Sequence, residues 1–256
     1  MLELVGLTKK YHVTPVVDDV SFSVQPSEIL GYLGPNGAGK TTTIKMLAGL
    51  LKPTSGKILY NGREIRKDLF AFKEKLGYVP EDSEIYPHLS AYDYLLMVGR
   101  LRHIAEKVLK EKIYEFMRLF HLYDEMESAI SSFSKGMVQK VLISSALLHN
   151  PEILLLDEPL SGLDVTTGLV IKDLLQKLAE EGKIIVYSSH ILEVVEKICS
   201  RVIILHKGKI VADDSVSNLR GLMKLPSLEE IFGQLVVQED TEATAKELID
   251  VMKHES

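Results

Sequence analysis

One stretch constrains this chain more than any other. In residues 28–42 the apolar run Ile29, Leu30, Tyr32 and Leu33 reads as a buried strand. It breaks into Gly34-Pro35-Asn36-Gly37-Ala38-Gly39-Lys40-Thr41-Thr42, after which Ile44, Leu47, Ala48 and Leu51 recur at helical spacing. A G-x-x-x-x-G-K-[ST] loop between a strand and a helix is the context in which that pattern grips phosphate. The residue types follow from the task. Glycines let backbone N–H groups turn towards a polyphosphate, and a helix starting near Gly39 points unpaired N–H groups and its positive end at the same anion. Lys40 adds a charge for the terminal phosphates, and the Thr41 hydroxyl suits Mg2+. The alternative, a glycine-rich turn that merely precedes a lysine, does not explain the flanking strand and helix. The stretch predicts a nucleoside triphosphate site.

Composition limits what surrounds it. With 46% hydrophobic and 26% charged residues in 256, the chain has ample apolar material for a folded core of one large domain or two small ones. A formal net charge of −6 argues against a general nucleic-acid binder. The single cysteine, Cys199, excludes an internal disulfide framework, and its apolar neighbours suggest a core thiol. No apolar stretch reaches the length of a membrane span: Val141 to Leu148 and Ile153 to Leu156 are separated by His149, Asn150 and Pro151. The first residues carry no secretory pattern. A soluble, cytoplasmic chain is expected, brought to a membrane only by a partner.

Taken in order, residues 2–24 alternate as two or three antiparallel strands, with Tyr11 in a polar turn between them. Packing and stacking on a base are equally good readings of Tyr11 at this point. Pro53 to Gly56 reads as a turn, and Ile58 to Ile65 as a hairpin about Asn61-Gly62, the favoured two-residue turn. A short helix over 70–74 precedes a strand over Leu76 to Val79. Between about 90 and 130 only helical periodicity occurs, opened by a Ser90–Asp93 capping pattern: a helical insert between strands of an α/β core. Ser134 is the expected N-cap of a helix stopped before Pro151. Ile153 to Leu156 and Ile184 to Tyr187 are unbroken apolar runs, as expected of strands buried on both faces. Helices over 164–181 and 191–198 and a hairpin about Lys207-Gly208 follow. Beyond 214 lie short helices, including an amphipathic stripe of Ala245, Leu248, Ile249 and Met252. That tail reads as a packing appendage, with a dimer contact as the alternative.

Two acids end the 153–156 strand. Asp157 stands where a carboxylate helps to hold Mg2+ in phosphate-loop enzymes. Glu158 is placed to take a proton from water attacking the γ-phosphate. Two capping acids would be the plainer reading, but it leaves the phosphate loop without its partners. His190, beyond Ser188-Ser189 at another strand end, is a candidate γ-phosphate contact.

Across residues 2–215 the chain resembles the nucleotide-binding subunit of ATP-binding cassette (ABC) transporters. Phe133-Ser134-Lys135-Gly136-Met137-Val138-Gln139-Lys140 matches the family signature, usually Leu-Ser-Gly-Gly-Gln, with Lys135 and Met137 as departures. Ser161-Gly162-Leu163-Asp164 matches the loop after the catalytic glutamate. Glu81 stands where the family usually has glutamine, adding negative charge beside a polyphosphate. Tyr11 falls at the adenine-stacking position, which turns the balance there towards base stacking.

The resemblance implies a phosphate-loop NTPase core of mainly parallel sheet, with an N-terminal antiparallel β subdomain and a helical subdomain inserted at about 84–150. Residues 216–256 would form a C-terminal helical tail. It further implies ATP hydrolysis, with Glu158, His190 and Lys40 as catalytic residues and Thr41, Glu81 and Asp157 as Mg2+ ligands. ATP would be held by Tyr11, Gly34 to Thr42 and Asp164, and, from a second copy, Ser134, Lys135, Gly136 and Met137. The expected assembly is a head-to-tail dimer sandwiching two ATP, docked on separate transmembrane permease subunits at the cytoplasmic face of the membrane. The departures at Lys135, Met137 and Glu81 and the segment Ser227 to Phe232 resemble the branch serving exporters. A soluble, non-transport ABC ATPase acting on a macromolecular complex is the alternative. A catalytically silent regulator conflicts with the presence of Lys40, Glu158 and His190.

Overall fold

The computed structural model describes residues 1–81, 85–189, 192–223, 225 and 227–236. His190 and the Ala245–Met252 stripe lie outside the described residues.

Ten strands and nine α-helices alternate along the described chain. The strands are β1 (Leu2–Lys10), β2 (Pro15–Val24), β3 (Ile29–Leu33), β4 (Ser55–Tyr60) and β5 (Arg63–Glu64), then β6 (Leu76–Val79), β7 (Ile153–Asp157), β8 (Ile184–Ser188), β9 (Arg201–His206) and β10 (Lys209–Ser215). The helices are α1 (Lys40–Leu47), α2 (Leu69–Glu74), α3 (Ala91–Leu101), α4 (Glu106–Leu119) and α5 (Lys135–Leu147), then α6 (Val165–Glu180), α7 (Leu192–Ile198), α8 (Val216–Met223) and α9 (Leu228–Val236).

The strands form two sheets, a four-stranded one of order β2-β1-β4-β5 and a six-stranded one of order β10-β9-β3-β8-β7-β6. The first is antiparallel throughout. In the second, β9, β3, β8, β7 and β6 run parallel and only β10 is antiparallel. Successive residues of a strand face opposite sides, and both sides of this sheet are buried. On one side Ile29, Leu33, Leu154, Leu156, Ile185, Tyr187, Val202 and Ile204 join a core closed by α3 to α7 and the described tail. On the other, Leu30, Tyr32, Ile153, Leu155, Ile184, Val186, Ile203 and Leu205 meet α1 and the apolar face of the antiparallel sheet. Unbroken apolar strands are the sequence image of that arrangement.

Two local departures have clear causes. β1 runs on to Lys10, beyond the short strand that alternation suggests, because Gly6 at φ +58° breaks the register and hides the periodicity. The expected turn over 53–56 gives way to β4 at Ser55, with Gly56 at φ +82° pressed against the backbone of Gly6. Elsewhere the punctuation holds. Asn61 and Gly62 both take positive φ, the two-residue hairpin turn, and Ser90 and Ser134 accept the expected capping hydrogen bonds, as Asp164 also does for α6. In the tail, Leu228 and Ile231 are fully buried, and Glu196 of α7 holds Arg220 at 2.8 Å and the Leu228 N–H at 3.3 Å.

Candidate nucleotide site

Parallel strands deliver their C-terminal ends to one edge, and there β3, β6 and β7 place the groups that matter. The loop after β3 folds back under Leu205: a Cβ at Gly34 would overlap that residue's carbonyl oxygen. Gly39 has φ +107°, and a Cβ there would come within 2.6 Å of the Val16 carbonyl oxygen. Neither position admits a side chain. Gly37, at φ +78°, has open space around it, so its glycine serves backbone conformation alone. The turn closes through Ala38 N–H to Pro35 O at 3.1 Å, and α1 begins with Thr43 N–H to Gly39 O at 2.9 Å. The N–H groups of Lys40, Thr41 and Thr42, in the first turn, have no acceptor within the helix and are available to an anion.

Asn36, Gly37, Gly39, Lys40, Thr41 and Thr42 line a cavity of about 470 Å3 together with Val16, Glu81, Asp157 and Glu158. Lys40 is buried, and its Nζ donates to Gly34 O at 2.7 Å and Pro35 O at 3.2 Å. Burial draws its ammonium below the ordinary lysine range, and the carboxylates of Glu158, Asp157 and Glu81 act against that shift. Thr41 Oγ1 donates to Glu81 Oε2 at 3.1 Å. Asp157, at the end of β7, is 1% exposed, and among the described residues neither carboxylate oxygen has a hydrogen-bond partner. Burial raises its pKa, with Ser188 and Thr41 hydroxyls near enough to oppose the rise. A buried, unsatisfied carboxylate beside a threonine hydroxyl and a second carboxylate is the donor set of a hard divalent cation such as Mg2+. Among the described residues no group of three or more His, Cys, Asp or Glu could hold a metal ion by itself.

Glu158 sits at φ +50°, a strained conformation for a side chain of its size. Its N–H donates to Ser188 O at 3.0 Å, and Ser189 Oγ donates to its carboxylate at 3.2 Å. The strain turns the chain sharply at the end of β7, so that successive carboxylates face the same cavity.

The profile described as ABC transporter matches residues 17–161. The uncharacterized ABC transporter ATP-binding protein YhcH of Bacillus subtilis (strain 168) is 39% identical over 219 residues, 85% of this chain and 71% of that protein. The ABC transporter ATP-binding protein NatA of the same organism is 36% identical over 230 residues, 90% and 94% of the two chains. A solved ATP-binding subunit of an ABC transporter superposes with a TM-score of 0.86 at 32% identity, covering 92% of this chain and 99% of its own. The chain belongs to the ABC transporter family. It is an ATP-binding subunit of ABC ATPase type.

In this ABC subunit the signature residues do not line the phosphate cavity. Ser134 caps α5, its Oγ accepting from Met137 N–H at 3.3 Å. A Cβ on Gly136 would overlap the Gly162 carbonyl oxygen, and Lys135 lays its methylenes beside Gly162. Asp164 caps α6, accepting from Thr167 N–H at 2.8 Å and Thr167 Oγ1 at 2.6 Å, with Lys140 Nζ 3.5 Å away. Those Thr167 hydrogen bonds, more than Lys140, bring its pKa down to about 2. Tyr11 is 55% exposed beyond β1, with Lys9 Nζ 5.1 Å from its ring centre. Gly34 and Pro35 form the rear of the loop, where with Leu192 and Phe232 they line a smaller cavity, and Ala38 is buried.

Val16 and Ser189 are site residues that sequence reasoning missed. Nothing local marks Val16, an ordinary strand valine. Ser189 had a signal in its place beyond the β8 strand end, but only the fold sets it against Glu158. A larger groove of about 740 Å3, between the β4–β5 hairpin and α2, lies away from these groups and is lined by Tyr60, Arg63 and Phe72 among others.

Proposed function

We propose that this subunit hydrolyses Mg–ATP as a head-to-tail homodimer and drives an exporter through separate membrane-spanning subunits. The observation that carries the reading is the single cavity in which a glycine-formed anion cradle, Lys40, Thr41, Asp157 and Glu158 face one another. Such a site has donors for the phosphates on one wall and carboxylates for cation and water on the other. Lys40 and the α1 N-terminus bind the β- and γ-phosphates. Thr41, Asp157 and Glu81 suit Mg2+, which when bound neutralises charge developing on the phosphates. Glu158 accepts the proton of the attacking water, and His190 contacts the γ-phosphate. Tyr11 offers an exposed face to the adenine.

Ser134 supports the dimer. Its hydroxyl and the α5 N-terminus form a second anion-binding corner outside the cavity, so a second copy is needed to bring it to the γ-phosphate. Among the structural relatives, a dimeric post-hydrolysis cassette, MJ0796, bound to ADP and Pi has a TM-score of 0.78 at 26% identity, covering 84% of this chain and 98% of its own. ATP binding closes the pair because the helix N-terminus gains an anionic partner, and hydrolysis removes it. No helix among the described residues is long and apolar enough to cross a membrane, and in the proposed assembly separate subunits supply the spanning path. The exporter direction is supported by 35% identity to the linearmycin resistance ATP-binding protein LnrL of Bacillus subtilis (strain 168), over 86% of this chain and 70% of that one.

The test is affinity purification of the tagged chain from detergent-solubilised membranes, identification of the spanning polypeptides, and ATP-driven transport in inside-out vesicles. Accumulation in those vesicles is expected. Recovery without any membrane subunit would reject the transporter reading, and transport only in the opposite sense would reject the exporter.

A further inference from the structure

Gln139 lies on α5 and is 1% exposed, and a buried amide needs a partner. Its Nε2 donates to the carbonyl oxygen of Pro159 at 3.0 Å. Pro159 follows Glu158, whose φ of +50° persists only while its surroundings hold it. From the sheet side the hold is clear: Glu158 N–H reaches Ser188 O, and Ser189 Oγ reaches the carboxylate. Ser161 N–H closes the turn on Glu158 O at 3.1 Å. Pro159 has no N–H, so its carbonyl is the backbone handle it offers to the other side. Gln139 takes that handle. Two neighbouring contacts press the same helix to the same loop, Gly136 against the Gly162 carbonyl and Lys140 near Asp164.

We propose that Gln139 is a positioning residue for ATP hydrolysis, its amide fixing the Pro159 carbonyl so that the strained Glu158 turn keeps its carboxylate aimed into the phosphate cavity. The inference rests on Glu158 being the base. Gln139 touches neither nucleotide nor water. It acts through the backbone, and it ties the signature helix to the catalytic turn of the same subunit.

Gln139→Met keeps the length of the side chain and removes the donor. A misplaced base costs rate and spares binding, so kcat should fall by about ten- to a hundred-fold while KM and the ATP dissociation constant stay put. Because both residues act through one carboxylate, adding Gln139→Met to Glu158→Gln should leave the residual rate where Glu158→Gln alone puts it. A merely structural role would instead multiply the two losses. Circular dichroism checks folding, and Gln139→Asn, which keeps the amide and shortens its reach, gives the same readout should the methionine variant not fold. Normal kcat in the Gln139 variants beside a stalled Glu158→Gln, or independent losses in the double variant, overturns the proposal alone. Parent-rate hydrolysis by Glu158→Gln overturns it together with the assignment of the base.

Discussion

Lys40 and Glu158 show how differently two buried charges are used in one cavity. Lys40 is held by the Gly34 and Pro35 carbonyls and faces three carboxylates, so its charge is directed at whatever anion enters between them. Lys40→Ala removes that charge and should weaken ATP binding by at least about ten-fold, the loss of a charge-assisted hydrogen bond. Equilibrium binding measures it, and an unaltered dissociation constant would remove the phosphate-loop assignment. Glu158 is held by backbone strain and the Ser189 hydroxyl. Glu158→Gln keeps the shape and removes the carboxylate proposed as the base. ATP binding should survive while steady-state hydrolysis drops by about a hundred-fold or more, and unchanged phosphate release would reject Glu158 as the base.

At the scale of single elements, helix ends and strand contacts set the outcome. Ser90 begins α3 by accepting from Asp93 N–H at 3.0 Å and returning its own hydroxyl proton to the Asp93 carboxylate at 2.8 Å. Ser90→Ala should cost about 1 kcal/mol in urea unfolding. His149, just beyond α5, contacts the Leu76 carbonyl at 3.0 Å, and burial, reinforced by the Arg102 charge, lowers its pKa to about 4. The native state therefore prefers the neutral ring. Between about pH 4 and the ordinary histidine value the unfolded chain binds the extra proton, so stability rises with pH there. The contribution is present above that window and lost as pH falls through it. His149→Gln should flatten this slope in denaturant melts at pH 4.5 to 7, and an unchanged slope would place the titration elsewhere.

For the whole molecule, the sheet buried on both faces unites α3 to α7 and the described tail into one core and α1 with the antiparallel sheet into another. The phosphate cavity opens at the strand ends between them. The Ser134 corner belongs to the same chain but not to that cavity, which is why a second copy enters the proposed function. Ser134→Arg places a bulky cation at the corner. ATP-dependent dimers of the Glu158→Gln background should disappear while each monomer still binds ATP. Size-exclusion chromatography with ATP reads the result, and a normal dimer would refute the sandwich.

The chain by itself determined whatever depends on neighbours a few residues apart: the Gly34–Thr42 loop, the acids ending β7, the Asn61-Gly62 turn and the caps at Ser90 and Ser134. Short-range sterics and hydrogen bonding impose those residue types at those spacings. It could not show Val16 joining the phosphate cavity, the Gly136–Gly162 contact, or Gln139 reaching Pro159. Those pairings are made when separate strands and helices bury their apolar faces against each other, and no local periodicity records which distant residues that burial will bring together. Even the strain at Glu158 is held from outside the turn, with Ser188, Ser189 and Gln139 among the residues that do so.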